Sequence, residues 1–300
     1  MQLHELLRRL ALPFALVTSD VIRVPVDAGE LAVEVREGKT PPVLAIHGIS
    51  SHRRLWDWLH VHDPSLSLIA PDLRGRGDSL DVAGGYGLPR HSDDLIAVLD
   101  KLGLDSVDVC GMSMGGFVAI DLALRYRDRV RSLVLVDGGF PMASPPGLTR
   151  EMLPAMFADR LARLDQKWSS LEEFLAFFVT ETAPLLDRND PVLRGYLAHD
   201  LDADGRVRLS GDALLADAGD VFFDPTDWRQ VDIPTRLLYA EFSRGKGTPP
   251  AYSAEAATGF YAELPALVDA RLIPGADHAA TIMTPAGAAA TAALLHAAQG

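Results

Sequence analysis

The chain has 300 residues, 48% hydrophobic and 23% charged, with a formal net charge of −13. That length rules out a small stapled module and suits one α/β domain carrying an insertion, while the charge argues against nucleic acid and anionic membrane surfaces as partners. The one cysteine, Cys110, excludes an intrachain disulfide and fits a reducing, cytoplasmic setting.

Taken in chain order, Arg8-Arg9 precedes an apolar run at 10–17 that Pro13 interrupts, with Glu5 upstream and no small-residue cleavage site following. This predicts an amphipathic helix rather than a signal peptide. No run approaches the ~20 apolar residues of a membrane span. Alternating residues at 21–26 and 31–35 around Asp27-Ala28-Gly29-Glu30 predict an antiparallel hairpin. Short apolar runs at 43–46 and 66–70 predict strands buried on both faces. A helix is expected over 93–102, a strand over 107–110, a helix over 117–126 and a strand over 132–136. From 141 to 228 the patterns turn helical with almost no β-type run, entered at Pro145-Pro146-Gly147 and left at Asp224-Pro225-Thr226-Asp227. A strand at 235–240, a helix at 252–264, a strand at 270–273 and an Ala-rich helix from Pro285 complete the chain. The expected architecture is α/β: a mostly parallel twisted sheet of about eight strands flanked by helices. A helical cap, 141–228, is inserted between the sixth and seventh strands, and 1–140 and 229–300 form the two parts of the core.

The chemistry-bearing stretch is Gly111-Met112-Ser113-Met114-Gly115, entered by a β-prone run and left by a helical pattern. A sharp turn there lifts the Ser113 hydroxyl clear of the sheet and requires glycine on both sides. The next helix aims its N-terminal N–H groups beside the serine. By itself such a pentapeptide is often only a turn. Three other motifs also end expected strands, where open α/β sheets place their sites: His47-Gly48-Ile49, the run from Asp72 to Ser79, and Gly275-Ala276-Asp277-His278. Together, in this order, the four motifs resemble the cap-bearing members of the α/β-hydrolase family over nearly the whole chain outside the cap.

The resemblance implies that Ser113 is the nucleophile, His278 its general base, and the backbone N–H groups of Ile49 and Met114 the oxyanion hole. The chemistry agrees, because a serine hydroxyl needs a base within reach and histidine titrates near neutrality. His47 reads as a shaper of the oxyanion loop. Asp72 and Arg74 read as loop-fixing residues, and Cys110 as a core thiol. His52, Arg53 and Arg54 read as a solvated loop face, with contact to substrate as the alternative, and His60 and His62 carry no metal-site pattern.

The third member of the triad departs from the family's pattern. Many relatives carry an aspartate just after the strand corresponding to 235–240; here Ser243 stands in that place, and serine supplies no anionic charge for an imidazolium. Asp137, ending the strand after the nucleophile's, is the leading acid. Glu241 is the alternative, longer by one side-chain carbon and two residues early, and Asp220, Asp224 or no acid at all stay open.

A serine nucleophile implies acyl transfer through an acyl-enzyme, with no cofactor and no metal. The leading substrate is a carboxylic ester or lactone, small to medium and apolar: of Phe157, Trp168, Phe174, Phe177, Phe178, Leu185, Leu186 and Tyr196 in the cap, most read as cap core at helical spacing and some as lining an apolar pocket. The same site suits a C–C bond hydrolase, a cofactor-free perhydrolase or an aminopeptidase. A non-hydrolytic ligand receptor is the reading from another class. A homodimer is compatible with all of these.

Overall fold

Strands buried at every position need cover on both faces, and 43–46, 68–71 and 107–112 are of that kind. The computed structural model describes residues 20–142, 147–224 and 226–300. It contains β1 (Asp20–Val26), β2 (Gly29–Arg36), β3 (Val43–Ile46), β4 (Leu68–Pro71), β5 (Val107–Met112), β6 (Val130–Val136), β7 (Thr235–Phe242) and β8 (Leu267–Asp277). These form one sheet in the order β1-β2-β4-β3-β5-β6-β7-β8. β2 runs antiparallel to both neighbours, and every pair from β4 onward is parallel. The parallel strands therefore all end at one rim, and each motif sits on it.

Helices α1 (Asp57–His62), α2 (Leu88–Lys101), α3 (Met114–Arg125), α9 (Ala254–Glu263) and α10 (Pro285–Gln299) flank the sheet. Between β6 and β7 lie α4 (Leu153–Met156), α5 (Ala158–Asp165), α6 (Leu171–Phe177), α7 (Pro191–Asp200) and α8 (Gly211–Phe223). One apolar cluster is continuous from this insertion, through Phe157, Trp168, Phe174 and Tyr196, to Met112, Val136 and Ala276 under the rim. The opposite face of the sheet packs on α2, α3 and α9 through Val98, Leu99, Phe117, Ile120 and Phe260. Among the described residues no helix is long and apolar enough to cross a membrane.

Most element bounds shift by a few residues from expectation, and two shifts are the largest. α2 begins five residues early, at Leu88, because Pro89 suits a first turn and the preceding Gly87 (φ 109°) accepts a backbone conformation other residues resist. β8 begins three residues early, at Leu267, and runs to Asp277, so it carries residues 274–277, which were expected to follow a strand ending at Ile273. The amphipathic helix expected at the N-terminus lies outside the described residues, as do Pro145, Pro146 and Pro225.

Candidate active site

Ser113 follows β5 with φ 56° and ψ −123°, a left-handed conformation that costs a non-glycine residue roughly 1–3 kcal/mol. The surroundings impose it. The Ser113 N–H donates to Val136 O (2.9 Å), and the Gly116 N–H donates back to Ser113 O (2.9 Å). A Cβ on Gly111 would stand 2.2 Å from Gly115 O, and one on Gly115 2.1 Å from Ile46 O. Gly138 is part of the same device: its Cβ would lie 2.0 Å from Ser113 O. The sequence marks that glycine only as a turn residue.

Asp137 ends β6, fully buried with φ 46°. Its N–H donates to Leu238 O (2.7 Å), and its Oδ1 accepts from the Ala240 N–H (3.1 Å). The other carboxylate oxygen, Oδ2, lies 2.6 Å from His278 Nδ1. An ionised Asp137 can only accept, so Nδ1 carries the proton and Nε2 keeps its lone pair. The His278 side chain is 35% exposed.

The remaining acid candidates lie elsewhere. Glu241 is exposed, and its Oε2 accepts from the Gly275 N–H (2.6 Å). Asp220 accepts from the Leu88 N–H (2.9 Å) and Asp224 pairs with Arg150. Ser243 contributes its carbonyl, which accepts from the His278 N–H (3.4 Å). Asp277, which sequence reasoning passed over, fixes the histidine turn. Its two oxygens accept from the Gly245 N–H (3.1 Å) and the Ala280 N–H (3.0 Å).

On the other side of Ser113 lies the His47-Gly48-Ile49 loop, close enough that a Cβ on Gly48 would stand 3.2 Å from Ser113 Cβ. His47 is fully buried. Its Nδ1–H donates to Gly48 O (2.8 Å) and its Nε2 accepts from the Leu73 N–H (3.0 Å). Burial pushes its pKa down to about 3, so it stays neutral and keeps this tautomer. Among the described residues, neither the Ile49 nor the Met114 N–H donates to another protein atom. The Ile49 carbonyl accepts from Arg76 Nε (3.1 Å), and Arg76 pairs with Asp217 of α8 at 2.6 Å, both fully buried.

His52 and Arg53, read from the sequence as a solvated loop face, are buried at 1% and 6% exposure. His52 stacks on Tyr196 of the insertion (ring centroids 4.2 Å apart), and Arg53 is held by charge pairing with partners remote in sequence. Arg53 binds Asp72 through its guanidinium and its backbone N–H (2.7 Å), and Asp78 at 2.8 Å. Arg208 of the insertion joins Asp78 at 2.6 Å. Arg54 is half-exposed and donates to Gly195 O (3.2 Å). His52, Asp72 and His199 stand close enough to suggest metal ligands, with their nearest donor atoms within 4.8 Å of one another. The Arg53 guanidinium occupies that position, bonded to Asp72 and 3.2 Å from His199 Nε2. The cluster is thus an arginine socket. Burial lowers the pKa of His199 to about 4 and that of His52 well below its ordinary value; burial raises that of Asp200 to about 6.

Residues 43–293 match a family model described as the alpha/beta hydrolase family. The chain is 36% identical over 154 residues to lipase LipV of Mycobacterium tuberculosis, covering 51% of this chain but 58% of that protein's length. It is 30% identical to a putative 2-succinyl-6-hydroxy-2,4-cyclohexadiene-1-carboxylate synthase of Bacillus subtilis, over 76% of this chain and 80% of that one. Among solved structures, E-2-(acetamidomethylene)succinate hydrolase superposes with a TM-score of 0.73 at 24% identity, covering 93% of this chain and 98% of that one. A thermophilic esterase from Thermogutta terrifontis does so with a TM-score of 0.66 at 24% identity, covering 94% and 100%.

Proposed function

The chain belongs to the α/β-hydrolase family, and on that premise we propose that it is a serine hydrolase cleaving carboxylic esters or lactones through an acyl-enzyme. Ser113 Oγ attacks the acyl carbon as His278 Nε2 takes its proton, and the same imidazolium then protonates the leaving group. Asp137 holds the imidazole in the Nδ1–H tautomer and stabilises the cation that forms. The tetrahedral oxyanion is received by the Ile49 and Met114 N–H groups, each contributing roughly 3 kcal/mol. Water, activated by the same histidine, releases the acid and restores the serine. In this reading residues 141–228 are a cap whose aromatic side chains shape a pocket for a small to medium acyl group, apolar in body. The buried cysteine and acidic charge fit a cytoplasmic enzyme acting on small molecules.

One observation carries the assignment: the 2.6 Å contact between buried Asp137 and His278 Nδ1 on the rim where Ser113 is held left-handed. The test is covalent labelling. A fluorophosphonate adds one adduct to the intact protein, and p-nitrophenyl butyrate shows a burst of nitrophenolate. Both vanish in Ser113→Ala, whose turnover falls by about 10⁶. Persistent labelling in Ser113→Ala removes the nucleophile, and no labelling of the native protein favours the receptor reading. Preferred cleavage of a vinylogous diketone over any ester moves the reaction to C–C bonds.

A further inference from the structure

Buried arginines in this protein hold carboxylates: Arg36 holds Glu34 and Asp57, Arg53 Asp72, Arg74 Asp94 and Arg76 Asp217. Arg163, on α5, breaks that rule. It is 5% exposed, yet its Nε and Nη2 have no hydrogen-bond partner among the described residues. No carboxylate oxygen there lies within 4.0 Å of it, although the chain carries a net charge of −13. A buried guanidinium edge left unpaired is costly, so it is open to an anion beyond the described residues.

The two unpartnered nitrogens are chemically informative. Nε–H and one Nη2–H point the same way and form one flat edge of the guanidinium, the edge that grips a carboxylate with two parallel hydrogen bonds. The location is informative too. Arg163 is in electrostatic range of Tyr196 and Asp200 on α7. The Tyr196 hydroxyl bonds Ser51 Oγ (3.0 Å), two residues beyond Ile49. Arg160, one turn before Arg163, packs its guanidinium over the Phe157 ring at 5.3 Å. Partial desolvation, then repulsion from Arg163 and Arg244, lowers its pKa. Arg244 follows Ser243, whose carbonyl holds the His278 N–H. Arg163 therefore lies between α7, whose Tyr196 reaches the Ile49 loop and whose buried Asp200 is in electrostatic range, and Arg160 and Arg244, the latter paired with Glu181 at 3.4 Å.

We propose that the Nε–Nη2 edge of Arg163 receives a carboxylate carried by the substrate, so that the enzyme acts on molecules apolar in body and anionic at one end, such as half-esters of dicarboxylic acids. This rests on the serine-hydrolase reading. Arg163 orients the free carboxylate, and Ser113 attacks the ester carbon at the other end of the same molecule.

The full-length protein is assayed with a matched pair, p-nitrophenyl butyrate and mono-p-nitrophenyl succinate. The expected kcat/KM favours the anionic ester by about tenfold or more. Arg163→Met lowers the ratio of anionic to neutral kcat/KM at least tenfold; Arg163→Lys, which keeps the charge but not the fork, falls between. Equal losses on both esters, or a native preference for the neutral one, overturn the proposal. A second measurement separates this outcome from failure of the hydrolase reading and covers a misfolded Arg163→Met. Monomethyl succinate raises the Tm of Ser113→Ala, and adding Arg163→Lys reduces that shift. If fluorophosphonate labelling fails while the shift persists, the carboxylate site stands without the chemistry. If labelling succeeds and no shift occurs, the carboxylate site falls.

Discussion

The rim of the sheet and the boundary between core and insertion are built by opposite means. At the rim, backbone does the positioning. Ser113 and Asp137 are held by main-chain bonds to Val136 and Leu238, and glycines at 111, 115 and 138 leave room for peptide planes to touch. At the boundary, buried charge does it. Asp217 of α8 accepts from the Gly87 N–H and pairs with Arg76 and His91, while Arg208 reaches Asp78. A backbone device tolerates no side chain in its way. A charge device tolerates many side chains around it but not the loss of one partner.

The sharpest way to test that contrast is to neutralise one carboxylate of each kind. Asp137→Asn should lower turnover by about 10⁴ with little change in stability, since it would favour the wrong histidine tautomer while leaving the strand bonds in place. Glu241→Gln should change turnover by less than about threefold, because that carboxylate meets only an exposed backbone N–H. Steady-state kinetics on an activated ester decide between them, and the reverse pattern would return the acid to β7. Asp217→Asn should instead cost stability, about 3–5 kcal/mol by urea denaturation, because it leaves Arg76 buried without its counter-charge. An unchanged midpoint would mean that packing, not charge, attaches the insertion.

The smallest effect per unit of perturbation comes from pH. His47, His52 and His199 have folded pKa values below the ordinary 6.5. The unfolded chain therefore binds protons that the folded one refuses, and their contribution to stability, full above about pH 6.5, is lost as pH falls toward 4. Asp200 acts in the opposite sense: with its folded pKa raised to about 6, the native state binds a proton the unfolded chain releases down to about pH 3.9. The three histidines outweigh Asp200, so stability should fall as pH drops from 7 to 5. Denaturant titrations at pH 7, 6 and 5 measure this slope, and a flat profile would mean that the boundary histidines are hydrated.

How much of this was legible beforehand follows the same division. The sheet, its helical insertion and the four rim motifs were readable because each depends on local signals: apolar runs, glycines at a turn, a histidine after a late strand. The contact between Asp137 and His278 joins residues 141 apart in sequence. Periodicity offers no hint of such a pairing, and only the absence of an aspartate at Ser243 pointed toward it. His52 and Arg53 were misread for a related reason. A histidine beside two arginines looks solvated until Asp72, Asp78 and the insertion close around it. Gly138, next to Asp137, and Asp277, within the Gly275–His278 motif, stood in plain view, but their roles depend on close approach to other loops. Arg163 carried no signal, since on one amphipathic turn a buried arginine and a solvent-facing one are spelled alike.

The bond from Arg76 to the Ile49 carbonyl ties the insertion's position to the working parts of the rim. Arg76 is steadied from α8 by Asp217, so the carbonyl side of Ile49, the residue whose N–H we propose for the oxyanion hole, is held partly by a residue of the insertion. The two halves behave as an interlock. A hinged opening that carried α8 away would break the Asp217–Arg76 pair, so on the proposed hydrolase reading the movement that exposed Ser113 would also loosen its oxyanion loop. On the proposed hydrolase reading, substrate entry and product exit are then better served by a gap between docked helices than by the whole insertion swinging off the core.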